Sequence, residues 1–576
     1  MPIHNAEIAR IFNHVADLLE ISDANPFRVR AYRNAARTVE DQPQSLTTML
    51  NEGKDLTKLP GIGDDLAAKI AEIVSTGSLK MLEDLEQTFP EELSDLLRIS
   101  GLGPKRVATL HRKLGIDNLD ELAEAAREQR IRVLQGFGEK TEKNIIKEIE
   151  RYAGAKARTK LNEAEQVADP LQAYLQGVEG VKRVVIAGSY RRRKETVGDL
   201  DVLVTCKSGS PVMSRFTEFE DVVEVMSSGN TKSSVRLRCG LQVDLRVVPE
   251  VSYGAALYYF TGSKEHNIAV RKIAVGKGLK INEYGVFRGK GDDEECIAGA
   301  SEEDVFKTVG LTYIEPELRE NNGEIEAAQQ GNLPQLIVRD DLRGDLHAHT
   351  KATDGHASLQ EMVEAARSLG YSYLAITEHS QAVSVAKGFN SKRLLRQTEE
   401  IDQLSDQYPG FRILKSIEVD ILEDGSLDLA DEELEKLDLT ICSVHSKFNL
   451  SAEKQTERII LAMDNPYFNI LAHPSGRLIN ERAAYQINME EIMRAAKQRG
   501  CFLEINAHPD RLDLNDHHCR MAKEMGLKLA ISTDAHSTQG FQNIRYGIDQ
   551  ARRGWLSKDD VINTRKVGDL LKLLNR

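Results

Sequence analysis

The chain has 576 residues, a formal net charge of −14, 41% hydrophobic and 29% charged residues, and one tryptophan. That length exceeds a single core and predicts roughly three to five domains, while the acidic balance requires any nucleic-acid contact to be local. No apolar run approaches the ~20 residues that span a bilayer. The mixed-charge, amphipathic start, MPIHNAEIARIFNHVADLLE, reads as a helix and is expected to be neither a signal nor a transit peptide. Cys206, Cys239, Cys296, Cys442, Cys501 and Cys519 form no CxxC pair, which suits a reducing cytosol rather than a disulfide framework.

Residues 1–155 read as short helices broken by glycine pairs. The segments LPGIGDDLAAKI (59–70), ISGLGPKRVATL (99–110) and LQGFGEKTEKNI (134–145) repeat one pattern, with glycines at Gly61 and Gly63, Gly101 and Gly103, and Gly136 and Gly138. Paired glycines permit a tight hairpin. The helix that follows aims free N–H groups and its positive dipole end at an anion, such as a DNA phosphate. From about 180 to 250 the period changes to strands. In IAGSYRRRKETVGDLDVLVT (186–205), Asp199 and Asp201 share one strand face, and Asp244 lies in a further strand, LQVDLRVV. Three carboxylates on one face repel unless cations bind, and such hard oxygens favour Mg2+.

Residues 251–318 are mixed, and the polar segment 319–341 predicts a linker. From 342 onward, seven apolar runs alternate with helices, as in a βα barrel: DLHAHT, YLAITEH, ILKSIEVDI, LTICSVH, NILAHP, FLEINAH and LAISTDAH. Ten of the fourteen histidines lie here. His347, His349, Asp354, His379, Glu418, His445, His473, Asp534 and His536 sit at run ends or in the loop after the first run. Carboxyl ends of barrel strands are where such folds carry chemistry. His356, His508, His517 and His518 fit no ligand position.

The glycine repeats resemble helix-hairpin-helix motifs, which bind DNA without reading bases. Residues 10–318 resemble the family X DNA polymerases, on the triad and on YYFTGSKEHN (258–267) and GLKINEYGVF (278–287). The resemblance implies that Asp199 and Asp201 hold two Mg2+ ions and that Asp244 helps deprotonate the primer 3′-hydroxyl. It also implies that Gly188, Ser189, Arg192 and Gly198 form the triphosphate turn and that Tyr259, Phe260 and Gly262 line the sugar pocket. Asn267 would reach the base and Arg271 the template. Lys69 and Tyr32 match the lyase positions of that family, although Asp65 replaces a lysine and Gln242 an arginine of the vertebrate pattern.

Residues 342–576 resemble the PHP domain, with all nine ligand positions filled, and this implies up to three Mn2+ or Zn2+ ions, with Glu418 bridging two. Arg477 is the candidate phosphate holder, and Glu378 replaces the usual aspartate beside His379. The chain thus reads as multidomain: all-α helix-hairpin-helix domains (1–80 and 81–155), an α/β nucleotidyltransferase palm (156–250), a thumb (251–318), the linker, and a distorted (β/α)7 PHP barrel (342–576).

The expected function is cytoplasmic gap-filling DNA synthesis from dNTPs on gapped or primer-template DNA, by a monomer with no membrane partner. A 3′–5′ exonuclease and an abasic-site endonuclease are the expected barrel activities. Other readings are a PHP nuclease or phosphatase whose N-terminal half grips DNA, a non-catalytic end-binding scaffold, and template-independent nucleotide addition.

Overall fold

The structure, a computed structural model, describes every residue except 1–4, 23, 41–45, 60, 87–88, 91–92, 94–95, 98, 100–101, 135, 140, 144, 147–157, 290, 481 and 576. The chain forms two compact units, Met1–Ala157 and Arg158–Arg576.

In the first unit, helices Asn5–Ile21 and Pro26–Glu40 place Ile8, Phe12, Val15, Tyr32 and Val39 at helical spacing. Helix Asp64–Thr76 adds Leu66, Ile70 and Ile73 to the same core. A second core gathers Leu102, Val107, Leu110, Leu122 and Phe137 around helices Pro104–Leu114 and Leu119–Arg127. Leu18 and Ile21 of the first helix also belong to it, so the division expected at 80/81 separates two cores that share one helix.

The second unit begins with a five-stranded palm sheet in the spatial order Val181–Ile186, Asp199–Cys206, Gln242–Val247, Lys232–Leu237, Val222–Ser228. Only the second and third of these pair in parallel. Alternation puts Leu200, Val202 and Val204 into the core beneath helix Leu161–Gln176 and leaves the odd-numbered aspartates on the opposite face. Helices Tyr253–Thr261, Lys264–Gly276 and Glu302–Thr308, with a three-stranded antiparallel sheet, make the thumb.

The expected linker at 319–341 is packed structure instead. Leu318, Ile325, Ala328 and Leu336 complete the thumb core, and helix Glu324–Gln330 runs through the segment. The charged residues that the segment buries have partners, while Glu326, Gln329, Gln330 and Asn332 stay exposed to water. Buried Arg319 donates to the Ile314 carbonyl and pairs with Glu302, while buried Glu324 accepts from the Asn321 and Asn322 amides and lies 2.6 Å from His266 Nδ1. Composition reports polarity but not its satisfaction, and buried polar groups are tolerated once paired.

The seven apolar runs form a barrel of two parallel sheets. Three strands (Gly344–Asp345, Tyr373–Ile376, Arg412–Lys415) precede five (Glu418–Asp420, Ile441–Ser443, Ile470–Leu471, Phe502–Asn506, Leu529–Ser532). The third run breaks at Ser416–Ile417, which is the distortion. Single parallel bridges, His379 to Glu418 and Ala348 to Ala535, join the sheets. Leu374, Ile376 and Ile413 face the helix layer, whereas Tyr373, Ala375 and Leu414 fill the interior. Helix Val567–Leu574 plugs the amino ends of the strands through Leu570 and Leu574, leaving the carboxyl ends for chemistry. The barrel docks firmly: Ile479, Leu512 and Tyr546 enter the palm core and Trp555 the thumb core.

Candidate functional site

Two clusters of chemistry-bearing side chains lie in the second unit. In the palm, the parallel pairing sets Asp201 directly opposite Asp244 and Asp199 opposite Gln242. Gln242 Nε2 donates to Asp244 Oδ1 at 3.1 Å, so an amide steadies this carboxylate where an arginine was the vertebrate pattern. Burial, then the charges of Asp199 and Asp244, push Asp201 up to about 7, and burial followed by Asp244 raises Asp199. Such mutual frustration of carboxylates is relieved by cations, and the donor set fits Mg2+.

Gly188 has a positive φ of 65°, and a Cβ there would lie 2.9 Å from Asp201 Oδ2, so only glycine lets this turn close over the triad. Ser189 sits in the same turn, and the Gly198 position abuts the Arg158 guanidinium. Arg192 is already engaged: Nε donates to Glu320 at 3.0 Å, and Nη1 donates to the Thr261 carbonyl beside Gly262. Tyr259 and Phe260 pack edge to face at 5.1 Å. Asn267 Nδ2 donates to the Tyr259 carbonyl at 2.7 Å, leaving its buried Oδ1 without a protein partner. Arg271 lies over the Tyr259 ring.

At the carboxyl end of the barrel, the nine expected ligands converge. Donor atoms within 4.8 Å of one another form three overlapping sets: His349, Asp354, His379 and His536; His347, His349 and Asp534; and His379, Glu418 and His445. His473 joins through Glu418, its Nε2 lying 3.1 Å from Oε1. Glu418 is the hub, with His379, His445 and both His347 and His349 within 3.6 Å of its oxygens.

His349 Nδ1 is buried without a hydrogen-bond partner, while His379 Nδ1 faces Glu418 Oε2 at 2.7 Å. Buried donor atoms of this kind, one of them orphaned, fit metal ions. Burial with repulsion from His379 and His536 pushes His349 down to about 3. Burial also opposes charge on His379, but Glu418 and Asp354 lift it to about 10. His473 and Asp534 hold left-handed backbone, φ 27° and 53°, a strain typical of positions fixed by function.

The sequence reading missed the groups that orient these ligands. Glu504 Oε1 lies 2.8 Å from His347 Nδ1, and its Oε2 accepts the His473 amide. Asn506 donates to Asp534 at 3.1 Å, and Asp345 ties the His347 amide to Thr533. Period-two spacing was the available signal: Glu504 and Asn506 share a face, as do Asp345, His347 and His349. Glu378 is buried and accepts from Thr350, Thr353 and Gln397, holding the loop that carries Asp354.

Arg477, the expected phosphate holder, is committed elsewhere. It forms a two-pronged pair with Glu195 of the palm at 2.6 and 3.2 Å and donates to the Arg511 and Leu512 carbonyls. A carboxylate hundreds of residues away could not be read from a local motif. Arg511 is a cation that faces the cluster, with Nε 3.7 Å from Asp534 Oδ2.

In the first unit, Gly61 and Gly136 have positive φ, and Gly63 and Gly103 cap helices Asp64–Thr76 and Pro104–Leu114. A Cβ at Gly63, Gly103, Gly136 or Gly138 would meet nothing within 4 Å, so these glycines face open space. Gly101 lies outside the described residues. Lys69 pairs with Asp65 and lies beside Tyr32, whose hydroxyl is raised by burial.

Family models match in series along the chain. They are a helix-hairpin-helix domain (3–79), a SAM-like helix-hairpin-helix tandem (93–151), the DNA polymerase beta palm (158–237), the DNA polymerase beta thumb (256–320) and a PHP domain (345–508). A DNA polymerase/3′-5′ exonuclease PolX of Bacillus subtilis (strain 168) is 37% identical over 576 residues, 100% of each chain. A protein of Thermoanaerobacter sp. (strain X514), described as a probable phosphatase, is 31% identical over 242 residues, 40% of this chain and 93% of its own. A probable phosphatase of Acetivibrio thermocellus is 32% identical over 202 residues, 33% of this chain and 78% of its own.

Proposed function

The chain belongs to the PolX family of DNA polymerases with a PHP domain, and from that premise we propose that it fills short gaps in repair and trims 3′ ends as a 3′–5′ exonuclease. The observation that carries this reading is the register that sets Asp201 against Asp244, in the same chain as a barrel where the nine expected ligands converge. Its substrates are gapped or primer-template DNA and dNTPs.

Divalent metals serve both centres. We assign two Mg2+ to Asp199, Asp201 and Asp244, and up to three Mn2+ or Zn2+ to the barrel ligands. When bound, these ions neutralise phosphate charge and favour ionisation of the attacking oxygen.

In the palm, Asp244 takes the proton of the primer 3′-hydroxyl, whose oxygen bonds to the α-phosphorus as pyrophosphate leaves. Ser189, Arg192 and Gly198 hold the triphosphate, Tyr259, Phe260 and Gly262 the sugar, and Asn267 the base. Arg271 lies towards the template. In the barrel, Arg511 takes the phosphate-holding role expected of Arg477, because it is a cation beside Asp534. The hairpin glycines admit the DNA backbone without reading sequence.

We further assign the chain to the cytoplasm as a monomer. The scattered cysteines, with no CxxC pair, suit that reducing compartment. A second reading of the barrel, hydrolysis of phosphomonoesters, is favoured by its similarity to probable phosphatases across most of their length. Abasic-site cleavage is a third use of the same centre.

A time course on a gapped primer with a 3′ mismatch tests the proposal, with and without dNTPs, in Mg2+ or Mn2+. Trimming to the paired base followed by extension is expected. Extension without trimming, or release of phosphate alone from a 3′-phosphate primer, would overturn the exonuclease assignment.

A further inference from the structure

Five consecutive charged residues, Arg191 to Glu195, follow the turn that closes over the aspartate triad. A run of four cations beside a nucleotide site suggests phosphate binding, yet the side chains go to other parts of the second unit. Arg191 makes a two-pronged pair with Glu302 of the thumb at 2.6 and 2.9 Å. Arg192 reaches Glu320 at 3.0 Å. Arg193, in left-handed backbone at φ 55°, bridges Glu165 and Asp549, each at 2.7 Å. Lys194 lies 3.8 Å from Glu320, and Glu195 receives Arg477 of the barrel. The run is a junction between palm, thumb and barrel.

The return contact comes from Arg553, the last residue of barrel helix Ile544–Arg553. Its side chain is 3% exposed. Nη1 donates to the Arg192 carbonyl at 2.7 Å and to Glu320 Oε1 at 3.1 Å, while Nε and Nη2 bind Asp516 at 2.9 and 2.6 Å. One barrel guanidinium therefore holds the backbone of Arg192 and shares the carboxylate that its side chain uses. Burial works against charge on Glu320, but Arg553, Lys194 and Arg192 hold it down to about 2.

We infer that Arg553 is a positioning residue for the polymerase reaction, through which the docked barrel sets where Arg192 meets an incoming triphosphate. The inference rests on the assignment of Arg192 to the triphosphate. With Arg553 in place, the charge of Glu320 is divided and the turn is fixed, so Arg192 can exchange Glu320 for phosphate at small cost. Without it, Glu320 draws Arg192 more strongly and the Arg192 carbonyl is released. A lysine supplies the charge but not the planar fork that spans Asp516, Glu320 and a carbonyl.

Arg553→Lys is expected to raise the dNTP KM in gap filling about tenfold, with kcat within about twofold. Exonuclease activity on single-stranded DNA should stay at the parental rate. The emission of Trp555, the only tryptophan, should not move, because it reports the packing of this segment in the thumb core. A parental KM would overturn the inference, since a merely structural cation is replaced by lysine.

Should Arg553→Lys lose exonuclease or shift Trp555 emission, Asp516→Asn decides, because it loosens Arg553 without removing a cation from the junction. There a raised KM with exonuclease retained supports the inference, and an unchanged KM overturns it. Arg192→Ala separates the two assignments. If it leaves the dNTP KM unmoved, the triphosphate role of Arg192 fails. If it raises KM and Arg553→Lys does not, only the junction role fails.

Discussion

The palm and the barrel each crowd acidic groups into one place, and they differ in how far the protein completes the coordination. The palm offers three carboxylates on a partly open sheet face, with an amide beside one of them. Open hard-oxygen sites of this kind keep coordination positions for substrate phosphates. The barrel surrounds one buried glutamate with histidines and adds a shell of Glu504, Asn506 and Asp345. Imidazole nitrogens shift the preference to softer ions, and the oriented rings leave less for the substrate to supply. A centre that waits for its substrate and a centre built in advance thus occupy one compact unit.

The largest expected effect is on the open centre. Asp199→Ala with Asp201→Ala should lower gap filling on the order of a thousandfold or more while 3′ trimming continues, read from paired extension and degradation assays. Surviving gap filling would mean that the palm triad is not the synthesis site. The reciprocal pair, His347→Ala with His349→Ala, should reduce exonuclease to background, again on the order of a thousandfold, with nucleotide addition kept. Loss of both activities there would break the comparison, because the built centre would then be part of the fold of the open one.

Removing an orienting group should cost less than removing a ligand. Glu504→Ala frees Nδ1 of His347 and the His473 amide, and should weaken barrel metal binding about 10–100-fold, measured by Mn2+ titration. Unchanged affinity would show that the barrel is no more preorganised than the palm. The smallest effect on synthesis should come from Lys69→Ala in the first unit, within about twofold on a gapped substrate lacking an abasic site. A borohydride-trapped adduct on abasic DNA, present in the parent and absent in this variant, would establish lysine as the nucleophile. An adduct that persists would place it elsewhere.

Much of both centres was legible in the sequence because their geometry is local. Alternation fixed which residues of the Asp199 strand share a face, and strand ends marked the residues that converge in the barrel. The same rule, applied one residue further, would have found Glu504 and Asn506. Gly188 was legible as part of a turn, although its reason, the Asp201 oxygen beneath it, is a tertiary contact.

The sequence by itself, through its family resemblances, determined the order of modules, and spacing along strands placed the aspartates and the nine expected barrel residues where the structure brings them together. Tertiary structure alone decided what the charged residues between modules do. Arg477 turned to Glu195 rather than to phosphate, the polar segment 319–341 became thumb core, and the run from Arg191 to Glu195 became a junction. The physical reason is that a buried charge is tolerated only with a partner, and these partners lie far away in sequence, where no local period can announce them.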